Sequence, residues 1–533
     1  MKKLLLLLGL LAVAGALYVL SGREPKQEGA LRILAGSEAE SFKPLLDDWS
    51  RQSGVRVDLV ARGSVEIAQA LGAGRAMEFD AVWPASSLWI SFGDESRVTR
   101  HAKSIARSPV VFGVRRSIAE KLGWTGGREV SVAQIGAAVS SGEMRLAMTS
   151  ATQSNSGASA YFGFLHAFAG GPDLIETKHL RDPEVQERTR EFLSGVDRSS
   201  GSSNWLKDSL IASYDAYDSM VNYEALILDA DRQLTARGAE PLHLVYPSDG
   251  LAIADSTLAY VDRGDAAQEA HFLALQEFLL SPEAQKRIVE TGWRAGLIGV
   301  QAPEGGIWRR EWGVDPGRAL SPIPFPRGEV VGEALRLYQS ELRKPSLTIW
   351  LADVSGSMQG APLAELKRAM TMALDPEQAA LSLLQPSARD VTIVIPFASG
   401  PGAPLEAEGD DPKLLGALLA EVEAFEAGGG TDLYGALIMA WGLLDAAEKE
   451  GLLKTHLPAV VAMTDGAADP ANAPEFMRLL ASGGPEAKAP IHSIAFGSAD
   501  LAQLNELAQK TVGRVFRADR GLAEALRSVK GYN

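Results

Sequence analysis

Residues 346–360 read SLTIWLADVSGSMQG. The stretch from Ser346 to Leu351 is apolar or β-branched nearly throughout, the pattern of a central strand in a parallel sheet covered on both faces. After it, Asp353, Ser355 and Ser357 fall at every second position around a glycine, where that strand should end. In open α/β sheets ligands bind outside the carboxyl ends of the strands, so these three side chains stand where a site is expected. All three are hard oxygen donors. They suit Mg²⁺, which takes oxygen ligands in near-octahedral geometry at roughly 2.0–2.1 Å and keeps several waters. The competing reading is helix capping, a common role for serine and aspartate in a strand-to-helix turn.

Working outward, Leu363–Leu374 carries apolar residues at helical spacing. Strands are predicted at Asp390–Phe397, Ala459–Met463 and His492–Phe496, with helices at Lys413–Phe425, Leu433–Glu448 and Leu501–Gln509. This alternation predicts a doubly wound α/β domain over 345–533. Two more turns in it carry oxygen donors: Thr431 in EAGGGTDLYGAL and Asp465 in VVAMTDGAAD. With Asp353, Ser355 and Ser357 they make the region from Pro345 to the C-terminus resemble the von Willebrand factor A (VWA) family and its metal-ion-dependent adhesion site. The resemblance implies a Rossmann-like fold in which the Ser355 and Ser357 hydroxyls bind the metal directly. It implies that Thr431, Asp353 and Asp465 bind it directly or through waters. The implied cofactor is Mg²⁺, with Mn²⁺ or Ca²⁺ as alternatives, and the implied partner is a protein whose acidic side chain fills the open coordination position.

Upstream, DPGRALSPIPFPRGE carries Pro316, Pro322, Pro324 and Pro326, which favours extended, semi-rigid chain and marks the best domain boundary. Residues 327–344 then read as a linker or helix. Before the boundary a separate alternation runs over 30–326. Strands are expected at Leu31–Ser37, Val55–Val60, Phe79–Trp83, Arg145–Met148, Met220–Tyr223 and Leu242–Tyr246, with helices at Ser41–Ser53, Val65–Ala73 and Ala158–Phe168. The stretches LRILAGSEAESFKPLLDDWSRQSGVRVDLVARGS, YPSDGLAIADSTLAYVD and FLLSPEAQKRIVETGWRAG make this region resemble extracellular solute-binding proteins of the two-lobed periplasmic type. The resemblance implies two α/β lobes closing on a ligand, with crossovers near Ser108–Val114 and Ser256–Val261 and a second lobe from about Val114 to Leu251. Candidate solute contacts are Ser37, Ser64, Ser86, Thr152, Ser154, Tyr214 and Asp215, in turns that also include Ser87, Ser156 and Tyr223. Hydroxyls and backbone N–H groups at helix N-termini can hold a small anion, so an oxyanion is reasonable. A small neutral polar solute is equally allowed, and each serine could instead cap its helix.

The chain has 533 residues, enough for two to four domains, with 46% hydrophobic and 22% charged residues in the ordinary globular range. A net charge of −15 without a basic run argues against nucleic acid. MKKLLLLLGLLAVAGALYVLSGREPK opens the chain, so residues 1–22 read as a signal peptide or signal-anchor helix. An anchor is favoured because the run continues apolar to Leu20 past Ala14–Ala16. This places the body on the extracytoplasmic face of the cell envelope, or in the periplasm or outside if the run is cleaved. With no cysteine there is neither disulfide nor thiol chemistry. The seven histidines are scattered, and neither H-E-x-x-H, a P-loop nor G-x-S-x-G occurs, so no enzyme is expected. The expected function is that of an exported, membrane-tethered interaction protein whose VWA domain grips an acidic partner through Mg²⁺. The alternative is the solute-binding component of a transport system that serves a membrane permease, with the VWA domain as a docking accessory. The two modules are expected to fold independently, with few contacts between them.

Overall fold

A computed structural model of the protein describes residues 30–296, 306–482, 489–519 and 521–532. The N-terminal apolar run lies outside the described residues, and among those described no helix is long and apolar enough to cross a membrane.

Before the proline-rich stretch the strands are β1 (Leu31–Ala35), β2 (Val57–Ala61), β3 (Ala81–Trp83), β4 (Thr99–Ser104), β5 (Ser108–Arg115), β6 (Leu146–Thr149), β7 (Val196–Ser200), β8 (Ser219–Tyr223), β9 (Leu242–Val245), β10 (Ala252–Ala254) and β11 (Thr257–Val261). They form two mixed sheets. The first has the order β2-β1-β3-β11-β4, and the second β10-β5-β8-β6-β7 with β9 also paired to β5. Each sheet is the centre of one lobe. β1 lies parallel to β2 and β3, as βαβ units require, and β11 returns antiparallel between β3 and β4.

The crossovers between lobes are shorter than expected and lie elsewhere. β5 pairs along its whole length with β8, β9 and β10, so its ladder is committed to the second sheet. β11 is likewise committed to the first. Residues 105–107 and 255–256 pass between the two sheets, the second sheet runs from Ser108 to Ala254, and beyond Arg294 the chain packs Trp308, Trp312 and Val314 onto the second lobe. The lobes are also joined directly. Arg294 forms a fully buried ion pair with Glu224, Nε to Oε1 at 2.7 Å and Nη2 to Oε2 at 2.8 Å. Trp89 Nε1 donates to Asn155 Oδ1 at 2.7 Å.

The C-terminal domain contains β12 (Ser346–Asp353), β13 (Val391–Phe397), β14 (Leu405–Glu408), β15 (Leu457–Thr464), β16 (Ile491–Ala495) and β17 (Val515–Arg517). They form one sheet in the order β14-β13-β12-β15-β16-β17, parallel except for the edge strand β14. All eight residues of β12 are buried, the behaviour expected of a central strand. Side chains alternate across a strand, so Leu347, Ile349 and Leu351 pack on helix Leu433–Lys449 while Trp350 and Ala352 pack on helices Ala361–Leu374 and Leu522–Val529.

The expectation of few contacts between modules is corrected. Helix Gly328–Leu337 and the widened turn Tyr338–Leu342 do not hang free as a linker. Val331, Ala334, Leu335, Tyr338 and Leu342 are buried in the core of the second lobe, and Tyr161 Oη donates to the Ala334 carbonyl at 2.9 Å. Further on, Arg198 Nη2 donates to the Val512 carbonyl at 2.7 Å, Gln153 Nε2 to the Arg527 carbonyl at 2.9 Å, and Ser199 Oγ to the Gly531 carbonyl at 3.3 Å. Tyr532 meets the Trp205 ring edge-on, with centroids 4.9 Å apart. Buried apolar surface and satisfied carbonyls along this seam make the two domains one packed body.

Candidate functional site

The lobes and the C-terminal domain together enclose an open cleft of about 520 Å³. Ser37, Ser64 and Ser154 line it. Ser37 follows β1 at the head of a short 3-10 turn, Ser64 opens helix Ser64–Leu71, and Ser154 precedes helix Asn155–Phe168. Ser154 is not spent on capping that helix; its hydroxyl lies 2.8 Å from Ser203 Oγ. Across the cleft, Ser202 Oγ donates to Ser37 Oγ at 3.1 Å and Asn204 Nδ2 donates to Glu40 Oε2 at 3.2 Å, so the lobes touch at its floor.

The other four residues expected at the pocket lie elsewhere. Ser86 is buried, and its hydroxyl accepts from the Leu88 N–H at 3.3 Å just ahead of helix Leu88–Gly93. Thr152 is buried beside Ser150 Oγ, 3.0 Å away, and donates to Gln339 Oε1 at 3.4 Å. The Tyr214 ring sits under the Arg115 guanidinium, 4.4 Å from its centroid, and the Asp215 carbonyl accepts from Arg145 Nη2 at 3.2 Å. Those contacts hold the far end of the second sheet together. Tyr223 is buried and accepts a hydrogen bond from Asn155 Nδ2 at 3.1 Å.

Two features of the cleft escaped the sequence reading. One is its third wall, supplied by helix Leu522–Val529 and Tyr532 of the C-terminal domain. Arg62 of the first lobe pairs with Glu524 of that helix, Nη2 to Oε1 at 2.5 Å. The other is acidity. Glu38, Glu40, Glu66, Asp208, Asp519 and Glu524 line the cleft against Arg62, Arg514 and Arg517. Glu38 is only 4% exposed, and burial pushes its carboxyl up to about 7, its own backbone N–H opposing the rise and Glu40 adding to it. The acids directly follow the serine in GSEAES, which was the available signal.

A second candidate lies at the carboxyl end of β12. Asp353 and Ser355 are buried there, and Asp465 follows β15 with 5% exposure. Ser355 N–H donates to Asp353 Oδ1 at 2.8 Å, the Ser355 and Ser357 hydroxyls lie 3.0 Å apart, and Ser357 Oγ donates to Asp465 Oδ1 at 2.7 Å. Thr431 is held beside them by the loop before helix Leu433–Lys449; a Cβ built on Gly466 would stand 3.6 Å from Ser357 Oγ and 3.9 Å from Thr431 Oγ1. The fold thus gathers the five residues from three loops. Thr464, which sequence reasoning passed over, donates to Asp353 Oδ2 at 2.6 Å and, with the Ser355 N–H on Oδ1, holds that carboxylate in place. Asp432 caps helix Leu433–Lys449 through the Gly435 N–H at 2.9 Å and receives Asn472 Nδ2 at 2.9 Å, which fixes the Thr431 loop. Burial pushes the Asp353 carboxyl above its ordinary range despite the hydrogen bonds from Ser355 and Thr464, and the Asp465 charge adds to the rise.

Oxygens on one edge of an octahedral Mg²⁺ shell are about 3.0 Å apart when each lies about 2.1 Å from the metal. The Ser355–Ser357 spacing of 3.0 Å equals that edge and the Ser357–Asp465 spacing of 2.7 Å is shorter, both being hydrogen-bond distances; it is the donor chemistry, hydroxyls with carboxylates, that fits a small hard cation. Among the described residues no cluster of three or more His, Cys, Asp or Glu is placed to hold a metal, so a cation here would depend on hydroxyls as much as on carboxylates.

No curated protein matches the chain. Among solved structures, iron-bound HitA from Pseudomonas aeruginosa is similar at 16% identity and TM-score 0.41, covering 58% of this chain and 97% of that one. The periplasmic binding protein AfuA from Actinobacillus pleuropneumoniae, with fructose-6-phosphate bound, is similar at 12% identity and TM-score 0.39, covering 50% and 83%. A von Willebrand factor type A structure from Catenulispora acidiphila is similar at 16% identity and TM-score 0.30; the match covers 36% of this chain and only 42% of that one. Residues 31–294, the part of the chain that builds both lobes, match the family model of the bacterial extracellular solute-binding proteins.

Proposed function

We propose that this chain is an extracytoplasmic solute-binding protein whose interlobe cleft takes a small polar solute and presents it to a membrane permease. One observation carries the reading: the segment that matches the solute-binding family folds as two lobes around an open cleft with hydroxyls at its floor. A cleft between two α/β lobes, lined by hydroxyls and charged groups, is a common place for a small polar ligand. The role asks for binding and release, with no bond made or broken.

The C-terminal domain enters the proposal as a docking accessory. Asp353, Ser355, Ser357, Thr431 and Asp465 would hold a divalent cation, Mg²⁺ before Mn²⁺ or Ca²⁺, and the gathering of hard oxygen donors at one crevice supports it. Such a cation supplies an open position for an acidic side chain of a partner protein. Two carboxylates in one crevice repel each other without a cation, so the site is stabilised by one.

Native mass spectrometry of the full chain, purified from its own envelope without refolding, tests the reading. A retained small molecule that leaves under mild activation is the expected result. A spectrum with no bound small molecule, together with no thermal response to any solute class, would overturn the solute-binding role.

A further inference from the structure

We propose that the solute of the interlobe cleft carries a positively charged group, received by Glu38 of the first lobe and by the acidic lining that the C-terminal helix completes. The inference rests on reading the cleft as the solute site and adds the chemical class of the solute.

The lining holds six carboxylates against three arginines, and the arginines are engaged. Arg62 pairs with Glu524 and also donates to the Ala61 carbonyl at 2.9 Å. Arg517 pairs with Asp519, Nε to Oδ2 at 3.1 Å. Arg514 donates to the Tyr532 hydroxyl and lies over the Phe516 ring, 5.1 Å from its centroid. Two of the three arginines are thus paired with lining carboxylates and Arg514 is held by a hydroxyl and a ring, so among the described residues an oxyanion would meet one arginine without a carboxylate partner, against Glu38, Glu40, Glu66 and Asp208, with which no lining arginine forms an ion pair.

Glu38 is the independent observation. Its carboxyl turns back over Gly36, so close that a Cβ on residue 36 would stand 2.0 Å from Glu38 Oε1; only glycine leaves the carboxyl that place. The side chain is more than nine-tenths buried, lines the cleft, and has no ion-pair partner among the described residues. Its hydrogen bond comes from its own backbone N–H, and the ionisable groups beside it are Glu40 and the Tyr223 phenol, neither of which brings positive charge. A buried carboxylate without a cation is costly, and a ligand that brings one removes the cost on binding. Glu66 is a second lining carboxyl raised by burial, but Arg62 and Arg527 stand near enough to oppose the rise, so of the two Glu38 alone lacks a neighbouring cation.

The test is isothermal titration of the full chain with L-arginine, L-lysine and spermidine as cationic probes, sulfate, phosphate and molybdate as anionic probes, and glucose as the neutral one. A cationic probe is expected to bind, with affinity at least tenfold weaker in Glu38→Gln, partly restored in Glu38→Asp, and unchanged in Glu450→Gln on an exposed surface remote from the cleft. Circular dichroism and melting of each variant separate lost binding from lost folding, and a Glu38→Gln chain that does not fold leaves the Glu38→Asp series to decide. A cationic probe that binds Glu38→Gln as tightly as wild type would overturn the role of Glu38. An oxyanion or glucose that binds while the cations do not would overturn the charge class and leave the solute-binding reading standing. No binding by any probe, together with no retained small molecule, would overturn both.

Discussion

Replacing Glu38 by glutamine removes one ionisable group and almost nothing else, which makes its effect on stability calculable. Burial pushes the Glu38 carboxyl from its ordinary 4.5 up to about 7, so between those values the folded chain holds a proton that the unfolded chain has lost. Stability rises with pH only where the unfolded state binds more protons, so here it must fall as pH rises through about 4.5 to 7. Each pKa unit is about 1.4 kcal/mol, so the group withdraws about 3 kcal/mol from the folded state by pH 8. Glutamine keeps the shape and stays neutral. Calorimetry of wild type and Glu38→Gln, without added solute, at pH 5 and pH 8 should therefore show a difference under about 1 kcal/mol at pH 5. At pH 8 the first lobe of the variant should be more stable by about 3 kcal/mol. Equal differences at both pH values would refute the reasoning, because Glu38 would then not be an unpaired buried carboxyl.

Three further outcomes follow from the packing. Asp390 is buried and, although burial alone would raise it, Arg343 and the N–H groups of Ser346 and Ser387 hold its carboxyl below the ordinary range; Arg343→Ala should cost roughly 3–5 kcal/mol of C-terminal-domain stability in calorimetry and remove that group's loss of stability as pH falls. Tyr532→Ala takes a buried ring from between Trp205, His492 and Phe516 and should cost about 3–5 kcal/mol, with faster proteolysis of helix Leu522–Val529; unchanged cleavage there would mean the seam holds without it. Mg²⁺ or Mn²⁺ at one hundred times its Kd should raise the melting of wild type by the equivalent of about 2.7 kcal/mol and leave Asp353→Ala unmoved; equal shifts in both would exclude metal at that crevice.

The strand and helix alternation was legible because the apolar runs are long and their periods distinct: β12 and its neighbours fall within a few residues of their expected bounds. The sheet to which a strand belongs was not. SPVVFGVR reads alike whether it crosses between lobes or stays in one, and only its ladder partners decide. β7 (VDRSS) and β14 (LEAE) were invisible because edge strands carry too few apolar residues to show a period. At the β12 crevice the donors were readable in order from local sequence, since each stands where a strand ends or, for Thr431, at the head of a helix. In the cleft, hydroxyl-rich turns could not be sorted: Ser37 lines the cavity and Ser86 is buried ahead of a helix, yet both follow a strand. The docking of the last helix across the cleft depends on contacts hundreds of positions apart, such as Arg62 with Glu524, which no local pattern encodes.

A crystal structure of the full chain, purified with whatever it retains or soaked with the tightest probe, tests the central claim most directly. The account predicts ligand density in the cleft between Ser37, Ser154 and Trp205, within reach of Glu38 and closed on its third side by helix Leu522–Val529. Density at another surface, or a ligand in the cleft with that helix swung clear of both lobes, would contradict it.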